Sequence, residues 1–409
     1  MSDDTPTAKS KISDLARFGG PPLFASPRPI GQLEAPPQEE YLAYLRAMVE
    51  RRRLTNDGPL VQELEAQLAA YHGVHHCIAL ANAGLGLIML MQIFSGGRQG
   101  EVVMPAFTFR GLPHFARWAG QQPRFADIDL NTQTLSPVAV EAAISERTTA
   151  ILAVCNFNSP GDIDGLAEVA ARHDLPLFFD SVYGVGTAYR GRRLGSFGRA
   201  EVFSLHATKL INGFEGGYVT TNDAPLARQL RYQRNFCYGA EGDCSADMLI
   251  GLNAKLNEPH AAMALLSLAR IDETIGANGA RFEEYATACA GIPGLRLLGH
   301  PVPDGEPRNY SLVVAELAPP WPLDRDLTLA LLRAEGLAIS AYYSPPLNRD
   351  WPDPPAHLPV TEILASRFLQ LPAGHLVSRG DIEAIGALLR FLARHGPSIR
   401  AALAEERTP

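Results

Sequence analysis

Glu201-Val202-Phe203-Ser204-Leu205-His206-Ala207-Thr208-Lys209-Leu210-Ile211-Asn212-Gly213-Phe214-Glu215-Gly216-Gly217-Tyr218-Val219 is the stretch on which the reading of this chain turns. Val202-Phe203 opens it with a short apolar strand signal, and Tyr218 to Thr220 is a second one. Between them stand Ser204, His206, Thr208 and Lys209, and Gly216-Gly217 closes the loop. A lysine flanked by apolar runs is expected to be half-buried. Burying an ammonium is costly unless its pKa falls or the amine is used covalently, for instance as a Schiff base. Most lysines are solvated surface charges. The strands and turns around the loop therefore carry the rest of the argument.

Working outward, Leu175 to Asp180 is an apolar strand that ends in a carboxylate. In parallel sheets ligands gather at the carboxyl ends of strands, although a lone Asp there most often caps or turns the chain. His75 to Leu80 is another strand, and Asn82-Ala83-Gly84 turns into a helix at Leu85. The free N–H groups of such a helix start make a ready phosphate site. His75 and His76 point to opposite faces of their strand, which argues against a shared metal. Ile78 to Phe94 is nearly all apolar, but it is short for a membrane span and contains Asn82, Gly84, Gly86 and Gln92. A buried strand, a glycine turn and a buried helix explain it. Val102 to Met104, Pro123 to Asp127 and Thr149 to Val154 add strands, and Asp162 to His173 adds a helix. Asp127-Ile128-Asp129 with Asn131 reads as a structural turn. After the strand at Met104 comes Pro105-Ala106-Phe107-Thr108-Phe109, where a ring held past a proline turn can stack on a flat ligand; core packing is the default for any one Phe.

Residues 1–40 are rich in Pro and Gly and read as an N-terminal arm, extended rather than packed. Glu39 to Arg52 has helical periodicity, Thr55 to Pro59 is a turn, and Leu60, Leu64, Leu68 and Tyr71 form the stripe of an amphipathic helix. Ala224 to Phe236 is a basic amphipathic helix, and a long helix runs through Ala261 to Ile271. Residues 41–280 are expected to form a large domain. From about Ala280 short strands, helices and prolines indicate a smaller α/β domain over 281–409. There Tyr310 to Glu316 and Ala338 to Tyr343 read as strands, and Leu327 to Glu335, Ala365 to Leu371 and Asp381 to His395 as helices.

The 409 residues, 46% of them hydrophobic and 20% charged, suit a globular enzyme of two domains. A net charge of −8 argues against a nucleic-acid or anionic-membrane binder, which would need a basic face, and leaves room for a local basic pocket for one nucleotide sugar. Cys77, Cys155, Cys237, Cys244 and Cys289 are scattered, with no zinc spacing or disulfide framework. Met1 to Leu15 has no apolar signal-peptide core. A cytoplasmic enzyme without a metal is the expectation.

Ser204-Leu205-His206-Ala207-Thr208-Lys209 followed by Glu215-Gly216-Gly217 resembles the lysine loop of the DegT/DnrJ/EryC1/StrS aminotransferases. These are pyridoxal-phosphate (PLP) enzymes of fold type I, mostly acting on keto sugars attached to nucleotides. The resemblance extends from about Thr55 to the C-terminal helix. It includes the Thr-x-x-Gly-Pro turn at Thr55 to Pro59 and Leu230-Arg231-Tyr232-Gln233-Arg234-Asn235. It also includes Gly251-Leu252-Asn253-Ala254-Lys255-Leu256-Asn257-Glu258 and the Tyr342-Tyr343 turn. It implies an α/β fold in which a large domain has a mostly parallel seven-stranded sheet and a smaller C-terminal α/β domain follows. It implies that Lys209 holds the cofactor and that Asp180 faces the pyridine nitrogen, keeping it protonated. By the same resemblance Phe109 stacks on the ring, Ser204 with the Ala83 and Gly84 turn binds the phosphate, and Tyr183 meets the phenolate oxygen or stacks nearby. Asn235 reaches the cofactor phosphate of a partner subunit. His206, Asn158, Lys255 and Tyr342 fall on the substrate side. A homodimer with shared sites is the assembly implied.

Four positions depart from the family pattern. Gly84 replaces Thr, Tyr183 stands where Gln or His is usual, Asn158 replaces a frequent Gly, and Asn348 replaces a frequent His. The first reading is an aminotransferase that takes an amine from glutamate or glutamine through pyridoxamine phosphate. It gives the amine to a nucleotide-linked keto-deoxysugar or a related natural-product precursor. An aldolase- or decarboxylase-type enzyme of the same fold is the alternative that the altered loops motivate. Lys209 argues against the sugar dehydratases of the family, and Lys209, Asp180, Ser204 and Phe109 together argue against a non-catalytic PLP-binding regulator.

Overall fold

The structure, a computed structural model, describes residues 8–156, 159–238, 250–299, 306–351 and 356–405. Its large domain is built on seven strands: β1 His76–Leu80, β2 Glu101–Pro105, β3 Gln122–Ala126, β4 Thr148–Val154, β5 Leu177–Asp180, β6 Ala200–Ser204 and β7 Gly217–Thr221. Their order across the sheet is β1-β7-β6-β5-β4-β2-β3. β7 runs antiparallel to both of its neighbours, and the remaining pairings are parallel. Strands β2, β4, β5, β6 and β7 are buried along their whole length. Burial on both faces is why they read as unbroken apolar runs rather than as alternating ones. Crossover helices cover the faces, and several start on a side-chain cap. Asn82 accepts from Leu85 N–H at 2.9 Å, Asp162 from Gly165 N–H at 2.9 Å and Asp223 from Leu226 N–H at 3.0 Å. The parallel order brings the carboxyl ends of β2, β4, β5 and β6 to one edge, where an α/β sheet places its ligand site.

The small domain carries β8 Leu295–Leu297, β9 Val313–Leu317, β10 Ser340–Ala341 and β11 Phe368–Leu371, in the order β8-β9-β11-β10. The C-terminal helix Arg379–Glu405 packs on it. Three expectations change here. Residues 368–371, read as helix, are the second central strand of this sheet; Phe368, Leu369 and Leu371 are wholly buried, and their apolar run fits either period. The strand expected from Ala338 to Tyr343 is broken into Leu337–Ala338 and β10. Residues 8–40, expected as part of an extended arm, are packed instead. Leu15, Leu23 and Phe24 are buried in the small-domain core, and Arg28–Pro29 pairs in parallel with Leu337–Ala338. The boundary expected at residue 280 falls inside a helix, α1 Ile271–Cys289. Ile271 belongs to the large-domain core, and Phe282, Tyr285 and Cys289 to the small one.

Two motifs far apart in sequence meet at the start of the Pro59–His72 helix. Glu258, fully buried, accepts from Leu60 N–H at 3.1 Å and Val61 N–H at 2.9 Å, satisfying two free donors and placing a negative charge at the positive end. A Cβ on Gly58 would lie 2.4 Å from the Glu258 carboxyl carbon, so only glycine fits that turn. Among the described residues no helix is long and apolar enough to cross a membrane, and no cluster of His, Cys, Asp or Glu could hold a metal.

Candidate active site

A cavity of about 480 Å³ opens at the carboxyl edge of the sheet. Asp180 ends β5, Ser204 ends β6, and the β6–β7 connection carries His206, Thr208, Lys209 and Glu215 into the same space. The opposite wall is the start of the Ala83–Ser95 helix. Glycine allows these walls to approach. A Cβ on Gly217 would lie 2.4 Å from the Ala83 nitrogen, so the Glu-Gly-Gly motif lets the strand pass beneath the helix start.

Asp180 is buried, and its carboxylate accepts a long hydrogen bond from Val182 N–H at 3.3 Å. Burial pushes its pKa up to about 6, against the pull of the Val182 hydrogen bond and the Lys209 ammonium. A buried carboxylate with so little compensation suits a cation laid against it. Lys209 is half-buried, as the flanking strands predicted, with Nζ 3.8 Å from the centroid of the Tyr183 ring. His206 Nδ1 takes Thr208 N–H at 3.2 Å and the Thr208 hydroxyl at 2.8 Å. Its other nitrogen is thereby left to carry the ring proton, towards Glu215 Oε1 at 3.7 Å.

Of the residues singled out from sequence, Ala83, Gly84, Phe109, Asp180, Tyr183, Ser204, His206 and Lys209 line this cavity together. Three do not. Tyr342 is buried behind the wall, its hydroxyl 2.7 Å from that of Tyr343. Asn235 bridges to Asn253, and Lys255 donates to Asn253 Oδ1 at 2.7 Å with its Nζ over the Phe236 ring, beside the end of β1 and outside the cavity. Asn158 lies outside the described residues. Asn348 is buried against Ala356 and Glu362 rather than in the cavity.

The sequence reading missed Phe115 and Glu215 as cavity residues. Phe115 explains a departure: a Cβ on Gly84 would lie 2.7 Å from its ring tip, so the ring occupies the space of the missing threonine. It also missed Glu201, fully buried beneath the site. Glu201 accepts from Ser181 Oγ at 2.6 Å and from Gly195 and Phe197 N–H at 2.6 and 2.8 Å. Burial raises its pKa to about 7 despite those three donors. A charged residue inside an apolar strand was the available signal.

A mostly parallel seven-stranded sheet, a lysine on the β6–β7 connection and a buried aspartate at the end of β5 define a PLP-dependent transferase of fold type I. The chain belongs to the DegT/DnrJ/EryC1/StrS aminotransferase family, which it matches over residues 37–390. It is 31% identical to the L-glutamine:2-deoxy-scyllo-inosose aminotransferase of Streptomyces fradiae, over 95% of this chain and 99% of that protein. It is 28% identical to the dTDP-4-amino-4,6-dideoxy-D-glucose transaminase of Shigella dysenteriae, over 90% of this chain and 98% of that protein. The crystal structure of DesI in the presence of its TDP-sugar product superposes with a TM-score of 0.91 at 39% identity, covering 96% of this chain and 100% of that one.

Proposed function

We propose that this chain holds pyridoxal 5'-phosphate on Lys209 and transfers an amino group between an amino acid and a keto sugar. Glutamate or glutamine is the donor. The acceptor is the ketone of a nucleotide-linked deoxysugar or a related natural-product precursor. One observation carries the reading: a lysine amine, a poorly compensated buried carboxylate and a helix start share one cavity. Two named relatives, a dTDP-sugar transaminase and a 2-deoxy-scyllo-inosose aminotransferase, and DesI with its TDP-sugar product support the acceptor class.

The residues fit the cofactor group by group. The Ala83 and Gly84 amides and the Ser204 hydroxyl would take the phosphate. Asp180 would take the ring nitrogen, and Phe109, 56% exposed at the cavity mouth, would cover a ring face. When bound, the cofactor supplies an electron sink for the substrate carbanion. The Lys209 amine would be the base that takes the proton from the donor carbon and delivers it to the cofactor carbon, with the reverse transfer when the keto acceptor is bound. Asp180 would hold negative charge against the ring nitrogen, and Glu201, through Ser181, steadies the turn that follows it. Tyr183 bounds the space in which the lysine amine moves. His206 and Glu215 form the polar side of the mouth, towards substrate.

The reading extends to a homodimer with shared sites. Asn235 and Lys255, absent from this chain's own cavity, would serve the partner's, with Asn235 on its phosphate and Lys255 on its substrate side. Exposed Phe236, Tyr238 and Ile250 beside them supply the apolar surface such an interface buries. The test is to load the protein with pyridoxal phosphate and add glutamate or glutamine. Conversion of the visible pyridoxal form to the pyridoxamine form is expected. A loaded protein inert to both donors would overturn the proposal.

A further inference from the structure

We infer that residues 31–34 act as a strap that sets the position of Lys209 from the small domain, with Gln32 as its positioning residue. The inference rests on the reading of Lys209 as the cofactor lysine. Gln32 is 2% exposed and is held on three sides. Its side-chain amide donates to the Ser311 carbonyl at 2.9 Å, and its own carbonyl accepts from His375 Nδ1 at 2.8 Å; both partners lie in the small domain. Its backbone N–H donates to the Thr208 carbonyl at 3.2 Å. That carbonyl and the Lys209 N–H belong to one planar peptide unit. The other end of the plane is held too, because Lys209 N–H donates to the His206 carbonyl at 2.8 Å. The orientation of the peptide before Lys209 is thus fixed from two directions, and one of them leads to the small domain.

The neighbouring residues make the strap close-fitting. Gly31 has φ +91°, and a Cβ there would lie 3.1 Å from Thr208 Cβ. A Cβ on Gly374 would meet the Gly31 carbonyl at 2.5 Å, so the strap is glycine-lined on the small-domain side as well. Beyond Gln32, the Glu34 carbonyl accepts from Asn212 Nδ2 at 2.7 Å, and the Glu34 carboxylate accepts from the Thr274 hydroxyl at 3.0 Å. Asn212 lies three residues past Lys209, so the strap grips the lysine loop before and after the reactive residue. Upstream, Ala373 N–H holds the Pro29 carbonyl at 3.2 Å. A displacement of the small domain therefore pulls on the peptide that aims the lysine, and a ligand that fixes that domain presets the lysine.

Two measurements on full-length protein test this. The first is hydrogen exchange of the cofactor-free protein over residues 205–212. The second is the rate at which pyridoxal phosphate is captured, with borohydride trapping and peptide mapping to locate it. Gln32→Met keeps the bulk of the side chain and removes its amide; Gly31→Ala drives a methyl against Thr208. Each should raise exchange over 205–212 and slow capture about tenfold, since small misplacements of a reacting group are costly. Lys9→Met removes the buried Lys9–Glu335 pair at the far end of the same segment and serves as the control. It should loosen only the residues near it and leave capture at the parent rate. If Gln32→Met or Gly31→Ala folds and both readouts match the parent, the strap has no positioning role. If the parent traps no cofactor on Lys209, the proposed function fails, and the exchange data still decide whether the strap orders the loop.

Discussion

At the floor of the cavity Asp180 and Ser204 end strands that are buried throughout, and glycines bring the Ala83 helix start against β7. The surface around it, here the rim, comprises Phe109 at the mouth, Phe214 next to the lining residue Glu215, and the segments 56–57 and 234–238 joined by the Asp57–Arg234 ion pair, and there the chain behaves differently. Phe109 is 56% exposed, Phe214 41%, Phe236 46% and Tyr238 71%. Several rim residues that are not glycine hold positive φ: Asn56 and Asp57 at 59° and 58°, Phe236 and Cys237 at 56° and 59°, and Phe214 at 62°. For Phe214, Phe236 and Cys237 that conformation costs on the order of 1–3 kcal/mol and must be held by the surroundings, whereas Asn and Asp adopt it more readily. The floor is completed within one chain. The rim keeps strained backbone and open rings in place without burying them, as a surface shaped for a second molecule would.

Substitutions at the floor should have the largest effects. Lys209→Ala should abolish the visible Schiff-base band and all turnover. Borohydride fixation of cofactor to another lysine in the parent would move the floor elsewhere. Asp180→Asn should fold and slow proton abstraction by several powers of ten, each worth about 1.4 kcal/mol of barrier. A pH dependence belongs to the same residue. Asp180 titrates near 6 in the empty cavity, so the parent's affinity for the cofactor should fall as the pH drops through 6. In Asp180→Asn that dependence should vanish, which a titration of cofactor binding would show.

The rim is tested by mixing. Lys209→Ala and Asn235→Ala chains, each poor alone, should partly recover activity together, because a mixed dimer holds one site with both groups intact. No recovery, with subunit exchange shown independently, would confine Asn235 to its own chain, where it bridges to Asn253.

The smallest effect concerns the support beneath the floor. Glu201 titrates near 7 in the folded protein and near 4.5 when exposed. The folded chain therefore holds the extra proton between those values, and its stability falls as the pH rises through that window, by on the order of 3 kcal/mol at most. Glu201→Gln can keep the contacts to Ser181, Gly195 and Phe197 without charge. Denaturant melts should show the variant gaining on the parent from pH 5 to 8. Parallel curves would mean that Glu201 is held charged.

The floor was legible because its signals are local. An apolar strand ending in Asp180, a glycine turn into a helix and a lysine between two strand signals each fit within a few residues. The features that escaped depend on partners far along the chain. Phe115 fills the place of a side chain missing at Gly84, thirty-one residues away. Leu15, Leu23 and Phe24 pack into the small domain singly, with no periodicity to announce a packed segment. Residues 368–371 are too short to separate a strand from a helix by pattern. Asn235 and Lys255 carry the motif's residue types, yet nothing local to them says which cavity they face.

The helix α1 leaves neither half of the molecule self-sufficient. Its first turns complete one hydrophobic core and its last turns the other. Cutting the chain at residue 280 would sever a continuous hydrogen-bond ladder and part the small-domain core from Leu15, Leu23 and Phe24, which would stay with the other fragment. The two cores should therefore melt in a single calorimetric transition, and neither should survive limited proteolysis as a stable excised unit.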